Sequence, residues 1–292
     1  MKILVTGSTG QLGTDVMKEL RRRGLEAAGV SHGELDLTDS EAVAAAFRRL
    51  APDAVIHCAA WTAVDAAEDP ASLDQVRRIN AGATETLARL CREQGSRLLY
   101  VSTDYVFDGS GTVPWKPEDA RCPLNVYGQT KYEGELAVQR LLDRYFIVRT
   151  AWVFGPAGSN FFRTMLRLGR TRKQLTVVND QIGTPTYTPD LAVLLAEMIQ
   201  SDRFGVYHAA NQGGWVSWYD IACEIFRQAA DYDPCYRDVE VLPTDSASYA
   251  APARRPHNSR LDQSKLAAEG FAPLPDWHDA LHRFLEAVRD EI

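Results

Sequence analysis

Short apolar runs and longer amphipathic stretches alternate along the first half of the chain. Residues 2–6 centre on the apolar run Ile3-Leu4-Val5, typical of a short buried strand, and residues 12–23 carry apolar positions at helical spacing. The same alternation predicts further strands at 27–30, 54–58, 97–102 and 146–150, and helices at 40–50, 73–94 and 126–144. Strands that alternate with helices connect through right-handed crossovers, which predicts an α/β fold with a doubly wound parallel sheet.

The second half of the chain is less regular. It predicts helices at 160–170 and 190–199 and a strand at 205–210, with a Gly/Thr/Pro segment between the helices. A long loop rich in Gly, Pro and Trp precedes the helix at 126–144, and such loops are usually functional. We expect a dinucleotide-binding domain at 1–150 and a smaller, mainly substrate-binding portion at 151–292, some segments of which return to the first domain.

Composition narrows the class of protein. A chain of 292 residues with 45% apolar residues can bury a full core, and its five cysteines show neither a CxxC pair nor a Cys/His cluster. We therefore expect free thiols in a cytoplasmic protein, with no signal peptide and no membrane span. The net charge of −7 argues against nucleic acid or an anionic membrane as a partner. An anionic substrate would need local cations, either at 163–173, where arginines can equally form a solvated helix face, or at Arg254 and Arg255.

A glycine loop follows the first predicted strand. Gly7, Gly10 and Gly13 have the spacing GxxGxxG, directly between a strand and a helix. Glycines permit a tight turn there, and the free amides of the helix N-terminus can bind a pyrophosphate. The position of the motif favours binding of a dinucleotide cofactor over a glycine turn without a ligand.

The end of the second strand bears on the choice of cofactor. Val30 is followed by Ser31 and His32, so the sequence offers no carboxylate there to accept both ribose hydroxyls, and a 2′-phosphate is not excluded. NADPH and NADH are both compatible with this pattern. Asp36 and Leu37 follow, and Asp36 has two interpretations: a contact to the adenine edge, or a turn residue before the next helix.

A tyrosine and a lysine mark the candidate chemistry. Tyr127 and Lys131 are four residues apart near the start of a predicted helix, which places both on one face. A carbonyl reduced by hydride needs a proton on its oxygen, and a phenol beside an ammonium can supply it. Thr103, at the end of the strand before the long loop, adds a hydroxyl for the same oxygen. These residues predict an oxidoreductase that acts on a carbonyl group.

Together these motifs resemble the short-chain dehydrogenase/reductase superfamily, whose dinucleotide-binding fold is the Rossmann fold. The GxxGxxG spacing is similar to that of its extended branch, which acts on nucleotide sugars. Five segments resemble the dTDP-4-dehydrorhamnose reductase family in particular, and the run Asp-Tyr-Val-Phe-Asp-Gly is the most specific part. These segments are 60–68, 102–109, 123–135, 149–155 and 180–186.

The resemblance implies a reaction and a set of site residues. The reaction is reduction of the 4-keto group of dTDP-4-dehydro-L-rhamnose by NADPH or NADH to give dTDP-L-rhamnose, the last step in making the rhamnose donor for polysaccharides. Tyr127 is the implied proton donor, Lys131 orients the ribose and tunes Tyr127, and Thr103 polarises the keto oxygen. The implied cofactor contacts are Gly7, Gly10, Gln11, Leu12, Gly13, Val30, Asp36, Leu37, Ala59, Ala60, Thr62, Tyr127 and Lys131, and the implied substrate contacts are Thr103, Asp104 and Trp152.

Several of these residues also have an ordinary structural interpretation. Asp104 can cap its loop, and Trp152 can belong to the core. Asn80 either links its helix to the active site or accompanies a helix bend. We expect Cys58 to be a buried, inert thiol.

The sequence also bears on a possible metal site and on the oligomeric state. Some members of the family are described as metal-bridged dimers, and Asp15 and Asp190 occupy suitable places in the sequence. Two scattered aspartates form a weak Mg²⁺ site, so we predict no metal. The family resemblance alone implies a homodimer.

Two other functions compete with the reductase. An epimerase or a 4,6-dehydratase shares the fold and the Tyr/Lys pair, but a dehydratase typically has an acid pair after the threonine, whereas here Asp104 is followed by Tyr105. A regulatory subunit similar to the beta subunit of methionine adenosyltransferase is the non-catalytic alternative. Retention of Tyr127, Lys131 and Thr103 favours catalysis.

Overall fold

A computed structural model describes residues 1–249 and 251–291 of the chain. Its strands are β1 (Lys2–Thr6), β2 (Glu26–Val30), β3 (Ala54–His57), β4 (Arg97–Thr103), β5 (Tyr145–Thr150), β6 (Val153–Phe154), β7 (Gln174–Val178), β8 (Ile182–Gly183), β9 (Thr186–Tyr187), β10 (Gly205–His208), β11 (Val216–Ser217) and β12 (Glu240–Thr244). Its α-helices are α1 (Gln11–Arg22), α2 (Ser40–Leu50), α3 (Leu73–Arg77), α4 (Ala83–Gln94), α5 (Val126–Leu141), α6 (Phe161–Gly169), α7 (Thr188–Met198), α8 (Trp218–Ala229), α9 (Ser264–Ala268) and α10 (Trp277–Ala287).

A six-stranded parallel sheet forms the centre of the fold. Its order is β10-β5-β4-β3-β1-β2, and each neighbouring pair is parallel. The predicted fold class is therefore confirmed. The strand order reverses between β1 and β3, which is the point where a doubly wound sheet opens a ligand crevice at its carboxyl edge. Strand β10, from the second half of the chain, completes the sheet beside β5.

Three buried apolar clusters hold the layers together. One packs α1 and α7 on one face of the sheet, and a second packs α2, α4 and α5 on the other. The third lies among α6, α8 and α10, outside the central sheet. Burial on both faces explains why the central strands are almost continuously apolar in sequence. Across the described part of the chain, no helix is both long enough and apolar enough to cross a bilayer.

Two predicted helices differ from the observed ones. The helix predicted at 73–94 is divided into α3 and α4 by a π turn at Arg78–Gly82. Asn80 within this turn directs its side chain to the backbone of Trp61, a contact that helical periodicity does not reveal. The helix predicted to reach residue 144 ends at Leu141, because Leu142 is extended and buried where the chain turns toward β5. No element was predicted beyond residue 210, where the structure has β11, β12 and α8 to α10.

Helix α5 lies close to the π turn and to β4. A Cβ on Gly134 would stand 2.5 Å from Tyr100 Oη and 2.9 Å from the Asn80 carbonyl oxygen. Both atoms belong to buried residues. The absence of a side chain at Gly134 therefore sets the distance between α5 and its neighbours.

Gly134→Ala is expected to destabilise the protein by about 1–3 kcal/mol, the usual cost of overpacking a core. Gly82→Ala is the matched control, because Gly82 is also within a helical segment but a Cβ there meets its first neighbour only at 3.9 Å. We expect the control to be neutral or slightly stabilising, since alanine restricts the unfolded chain. Urea unfolding of both variants checks this, and equal stabilities would contradict the packing constraint.

Candidate active site

Close backbone approaches shape the loop between β1 and α1. Gly7 has a left-handed φ of 67°, and a Cβ there would lie 2.8 Å from Ala59 N. A Cβ on Gly13 would overlap the Gly7 carbonyl oxygen. Gly10 is the N-cap of α1 and supplies no side-chain hydrogen bond, so the first amides of the helix remain available. The loop can therefore hold a pyrophosphate through these amides and the helix dipole.

Gln11 and Leu12 begin α1 directly after this loop. Gln11 Nε2 donates to the Val153 carbonyl oxygen at 3.2 Å, and Gln11 Oε1 accepts from Asn160 Nδ2 at 2.7 Å. Leu12 packs against the apolar cluster of α1 and α7. The side chain of Gln11 thus ties the glycine loop to the second half of the chain, while its backbone amide belongs to the helix terminus.

A carboxylate lies at the end of β2, where the sequence pattern indicated none. Glu34 folds back, and its Oε2 accepts from Ser31 N at 2.8 Å and from Ser31 Oγ at 2.6 Å. The glycine loop is adjacent, because Ser8 N donates to the Val30 carbonyl oxygen at 3.2 Å. The prediction that no carboxylate is available here was therefore wrong. A carboxylate at this place is suited to ribose hydroxyls.

Asp36 serves as a turn residue. Its Oδ1 accepts from Thr38 N at 2.9 Å and from Thr38 Oγ1 at 2.8 Å. These hydrogen bonds lower the pKa of the exposed Asp36 carboxyl. Asp39 then caps α2. Leu37 packs against the apolar cluster under α2. The adenine contact of Asp36 and Leu37 stays a prediction.

The loop after β3 lies beside the glycine loop. Ala59 N lies 3.5 Å from Thr6 Oγ1 at the end of β1, and the partly buried Ala60 and the exposed Thr62 follow. Burial raises the pKa of the Cys58 thiol to about 12, which agrees with the expected inert thiol. These residues border the crevice between β1 and β3.

Asn80 connects this loop to helix α5. Its Oδ1 accepts from Trp61 N at 2.8 Å, and its Nδ2 donates to the Trp61 carbonyl oxygen at 3.2 Å and to Thr130 Oγ1 at 3.1 Å. Asn80 therefore links its own helical segment to α5, the helix that carries Tyr127 and Lys131. It also lies within the π turn that bends this segment, so both interpretations of Asn80 apply. Single π turns are common at functional sites.

The first turn of α5 is fixed on two sides. Asn125 caps it, with Oδ1 accepting from Gly128 N at 2.8 Å and Nδ2 donating to the Arg254 carbonyl oxygen at 2.7 Å. A Cβ on Gly128 would overlap the Tyr105 carbonyl oxygen. Tyr127 is therefore held between the loop after β4 and a C-terminal segment.

Thr103 is the last residue of β4, and Asp104 directly follows it. Thr103 Oγ1 accepts from Tyr105 N at 3.2 Å and donates to Asp104 Oδ1 at 3.1 Å. Burial raises the pKa of the Asp104 carboxyl to about 6, against the opposing effect of the Ser259 and Thr103 hydroxyls. Among the described residues, Asp104 Oδ2 is buried without a hydrogen-bond partner in good geometry. A buried polar atom in this condition is suited to a polar group of a ligand.

The Tyr127 phenol lies in the same desolvated corner. Burial raises its pKa to about 12; the Thr103 hydroxyl lowers it in part, and the Asp104 charge raises it further. Its ring meets the Tyr105 ring edge-on, with centroids 5.6 Å apart. The expected lowering of this pKa by Lys131 is not seen here, since the one group that lowers it is the Thr103 hydroxyl. Tyr127 keeps its proton at neutral pH, as a proton donor must.

Lys131 lies beneath Tyr127 on the next turn of α5. Its Nζ donates to the Val101 carbonyl oxygen at 2.8 Å and stands 4.0 Å from the Tyr100 ring centroid. Burial lowers the pKa of this lysine to about 7, while Glu135 acts in the opposite direction. An ammonium has three donors, so capacity for a ligand hydroxyl remains.

Trp152 follows β5 in a left-handed conformation, with a φ of 51°. Its ring stacks on Trp218 at 4.2 Å between centroids, and a Cβ on Gly183 would lie 3.0 Å from the indole. Core packing of Trp152 is thus observed. A backbone held in this region costs free energy and is frequent at ligand sites.

Of the two basic segments, one lies next to α5. Arg255 pairs with Asp65 through two hydrogen bonds, at 2.6 and 3.0 Å, and Ala253 N donates to the same carboxylate at 3.2 Å. The exposed Arg254 follows Ala253, and its carbonyl holds Asn125. The segment 163–173 instead covers most of α6 and the residues directly after it, and it carries several exposed cations.

Asp15 and Asp190 each have partners within the chain. Asp15 accepts from Thr188 Oγ1 at 2.7 Å. Asp190 accepts from both terminal nitrogens of Arg283, at 2.7 and 2.8 Å, and from Asn211 Nδ2. Over residues 1–249 and 251–291, no group of three or more His, Cys, Asp or Glu side chains is arranged for a metal ion. The donor set around these aspartates, which includes a guanidinium, does not fit a cation.

Sequence reasoning missed three residues that support the site. Asn125 stands two residues before Tyr127 at an N-cap position, a signal that was available. Glu135 is two turns beyond Tyr127 on the same helix, and Ser102 directly precedes Thr103. Their mutual contact depends on tertiary structure.

The fold and the site define a nucleotide-cofactor oxidoreductase of the short-chain dehydrogenase/reductase class. The family model described as the RmlD substrate binding domain matches residues 1–290. The dTDP-4-dehydrorhamnose reductase of Escherichia coli strain K12 is 40% identical, over 99% of this chain and 98% of that protein.

Two solved structures extend the comparison. The crystal structure of a dTDP-4-dehydrorhamnose reductase from Clostridium acetobutylicum ATCC 824 has a TM-score of 0.93 and 39% identity, covering 99% of this chain and all of that one. That of dTDP-4-dehydrorhamnose reductase from Bacillus anthracis str. Ames in complex with NADP has a TM-score of 0.90 and 37% identity, covering 98% and 99%. The chain belongs to the dTDP-4-dehydrorhamnose reductase family, so the predicted resemblance is confirmed.

Protonation of Asp104 should make stability depend on pH. Because the pKa of its buried carboxyl is raised from 3.8 to about 6, the unfolded chain releases this proton first as pH rises. The folded state then binds more protons, so the contribution of Asp104 to the free energy of unfolding falls between pH 4 and pH 7, by about 3 kcal/mol in total.

Asp104→Asn removes this titration. Urea unfolding of the wild type and the variant at pH 4 and pH 7 is expected to show the variant gaining relative stability at the higher pH. A difference that does not change with pH would contradict the inferred burial of the charge.

Proposed function

We propose that this protein reduces the 4-keto group of dTDP-4-dehydro-L-rhamnose with NADPH or NADH, which forms dTDP-L-rhamnose for polysaccharide synthesis. The observation that carries the proposal is the meeting of Tyr127, Lys131 and Thr103 at the end of β4. Membership of the dTDP-4-dehydrorhamnose reductase family, and the NADP in the Bacillus anthracis structure, support the substrate and the cofactor.

The glycine loop is the proposed site of the cofactor pyrophosphate. A Cβ on Gly13 would overlap the Gly7 carbonyl oxygen, and this tight turn supports a loop that contacts the pyrophosphate through its backbone amides. When bound, the reduced nicotinamide supplies the hydride. The residues proposed to hold the cofactor are Gly7, Gly10, Gln11, Leu12, Gly13, Val30, Asp36, Leu37, Ala59, Ala60, Thr62, Tyr127 and Lys131.

Tyr127, Thr103 and Lys131 have different roles in the reduction of the keto group. As the keto oxygen gains negative charge, Tyr127 donates its phenolic proton, which burial keeps in place until then. Thr103 donates its hydroxyl proton to the same oxygen once that proton, which is directed at Asp104 Oδ1 in the free protein, turns toward the sugar, while the Tyr105 amide donates to the Thr103 oxygen. Lys131, as a cation under Tyr127, orients the ribose and stabilises the phenolate that remains.

The sugar is proposed to lie against Asp104 and Trp152. The unpartnered Oδ2 of Asp104 is available for a sugar hydroxyl, and the raised pKa means that this carboxyl also carries a proton in mildly acidic solution. The portion 151–292 is proposed as mainly substrate-binding, and the exposed Arg254 at the mouth of the site suits the diphosphate.

The structure favours a reductase over the alternatives in one respect. An acid pair after the threonine, typical of dehydratases, is replaced here by Asp104 and the partly buried aromatic ring of Tyr105. A purely regulatory role would not need the desolvated environments of Tyr127 and Lys131.

The assembly and the compartment are proposed on separate grounds. By family analogy we propose a homodimer, and the five free thiols suit the cytoplasm. Light scattering after size-exclusion chromatography tests the dimer.

The decisive assay follows absorbance of reduced nicotinamide while the protein is mixed with NADPH or NADH and enzymatically prepared dTDP-4-dehydrorhamnose. We expect oxidation that requires both protein and sugar. A folded protein that binds nucleotide but oxidises neither cofactor would overturn the proposal. Tightly bound NAD released only on denaturation would instead indicate an epimerase.

Tyr127→Phe should lower turnover at least about a hundredfold, because it removes the general acid and leaves the ring. Cofactor affinity, measured by fluorescence titration, should change little. Tyr132→Phe is the matched control, since it removes a hydroxyl one turn along the same helix. Unchanged turnover in Tyr127→Phe would exclude this phenol from the mechanism.

A further inference from the structure

A buried ion pair lies next to the site. Glu135 and Arg149 are both 0% exposed. Glu135 Oε1 accepts from Arg149 Nε at 2.8 Å, and Oε2 accepts from Arg149 Nη2 at 2.7 Å. Removing two charges from water is costly, so such a pair is weak evidence for stability by itself. Its place in the fold calls for another explanation.

The pair joins the elements that carry the site. Ser102 and Arg149 face each other in register on β4 and β5. Ser102 Oγ also donates to Glu135 Oε1, at 2.6 Å. Glu135 follows Lys131 by four residues, so both lie on one face of α5. The residue before Ser102 is Val101, whose carbonyl oxygen accepts the Lys131 ammonium.

Glu135 is the carboxylate that acts on Lys131. Burial lowers the pKa of Lys131, and the Glu135 charge is the largest influence that raises it. Besides Glu135, Arg149 contacts the Pro117 carbonyl oxygen at 2.9 Å, and its charge helps to lower the pKa of His208. The ionisable groups around Lys131 are His57 at the end of β3, Cys58 after it, Tyr100 on β4, Tyr127 and Glu135 on α5, and Arg149 on β5.

The other neighbours cannot replace Glu135. Burial lowers the pKa of His57 to about 3 and raises that of Cys58 to about 12, so both are neutral at pH 7. Burial also raises the pKa of Tyr100. The positive charge of Lys131 in this apolar environment therefore depends on one carboxylate.

We propose that Glu135 is a positioning residue that keeps the Lys131 ammonium charged and in place beneath Tyr127. This inference rests on the role proposed above for Lys131. Arg149 and Ser102 hold the carboxylate in a fixed orientation, and without them it would move toward water. Glu135 does not touch the reacting atoms and acts only through Lys131.

The test is a direct titration of Lys131. The chain has six lysines, so the side-chain Cε signals of ¹³C-lysine protein form a simple NMR spectrum, and Lys131→Arg identifies the signal of Lys131. In Glu135→Gln we expect the Lys131 titration midpoint to fall by about 1–3 pH units, the usual influence of a close opposite charge. The high-pH limb of the kcat profile should move in the same direction.

Two further variants separate this effect from general damage. Glu133→Gln, on the same helix, removes a carboxylate that pairs with Arg77 at the surface and should leave the midpoint unchanged. Glu135→Gln alone leaves Arg149 unpaired in the core, so the double variant Glu135→Gln/Arg149→Met removes both charges. We expect the double variant to recover thermal stability while the Lys131 midpoint stays low.

A wild-type midpoint in either Glu135 variant would overturn the proposal. The titration needs no substrate, so it tests the role of Glu135 even if the wild-type protein fails to reduce the proposed sugar. In that case the proposed function fails and the electrostatic role of Glu135 stands. If the midpoint falls but the kcat profile of an active enzyme does not move, the positioning role is overturned.

Discussion

The close approach of helix α5 to the carboxyl end of β4 is the constraint on which the site depends. Gly128 rests on the backbone of Tyr105 and Gly134 rests on Tyr100 and the π turn, so no side chain separates the helix from its neighbours. This distance lets Lys131 reach the Val101 carbonyl oxygen and places Tyr127 within the influence of Thr103. The same packing of α5 against β4 therefore determines both the core of the fold and the geometry of the site.

Burial then gives these groups a common electrostatic character. It raises the pKa of Tyr127 and of Asp104 and lowers that of Lys131, so in each case the neutral form gains. Tyr127 holds its proton firmly, whereas Lys131 and Asp104 stand near the point where either form is accessible at physiological pH. An apolar site of this kind responds strongly to any charge brought into it, because few water molecules remain to screen the charge.

Much of the fold follows from local signals in the sequence. The strand and helix alternation and the glycine loop are local patterns, and both appear in the structure where they were predicted. The π turn does not show in the helical periodicity of residues 73–94, because one inserted residue hardly changes that pattern. The contact of Glu34 with the end of β2 was not predicted. Glu34 lies four residues beyond this strand and reaches its end only by folding back. The contacts of Glu135 involve residues 14 and 33 positions away, and only the tertiary fold brings them together.

The C-terminal segment that meets Asp65 and Asn125 has a consequence for biosynthesis. At the mouth of the site, Ala253 contacts Asp65, which lies 188 residues earlier in the chain, and Arg254 contacts Asn125, which lies 129 residues earlier. During translation, the sheet strands β1 to β5 are complete long before this segment leaves the ribosome. The nascent chain therefore passes through a long interval in which the strands that carry Thr6 and Thr103 exist while the entrance to the sugar pocket is still unformed.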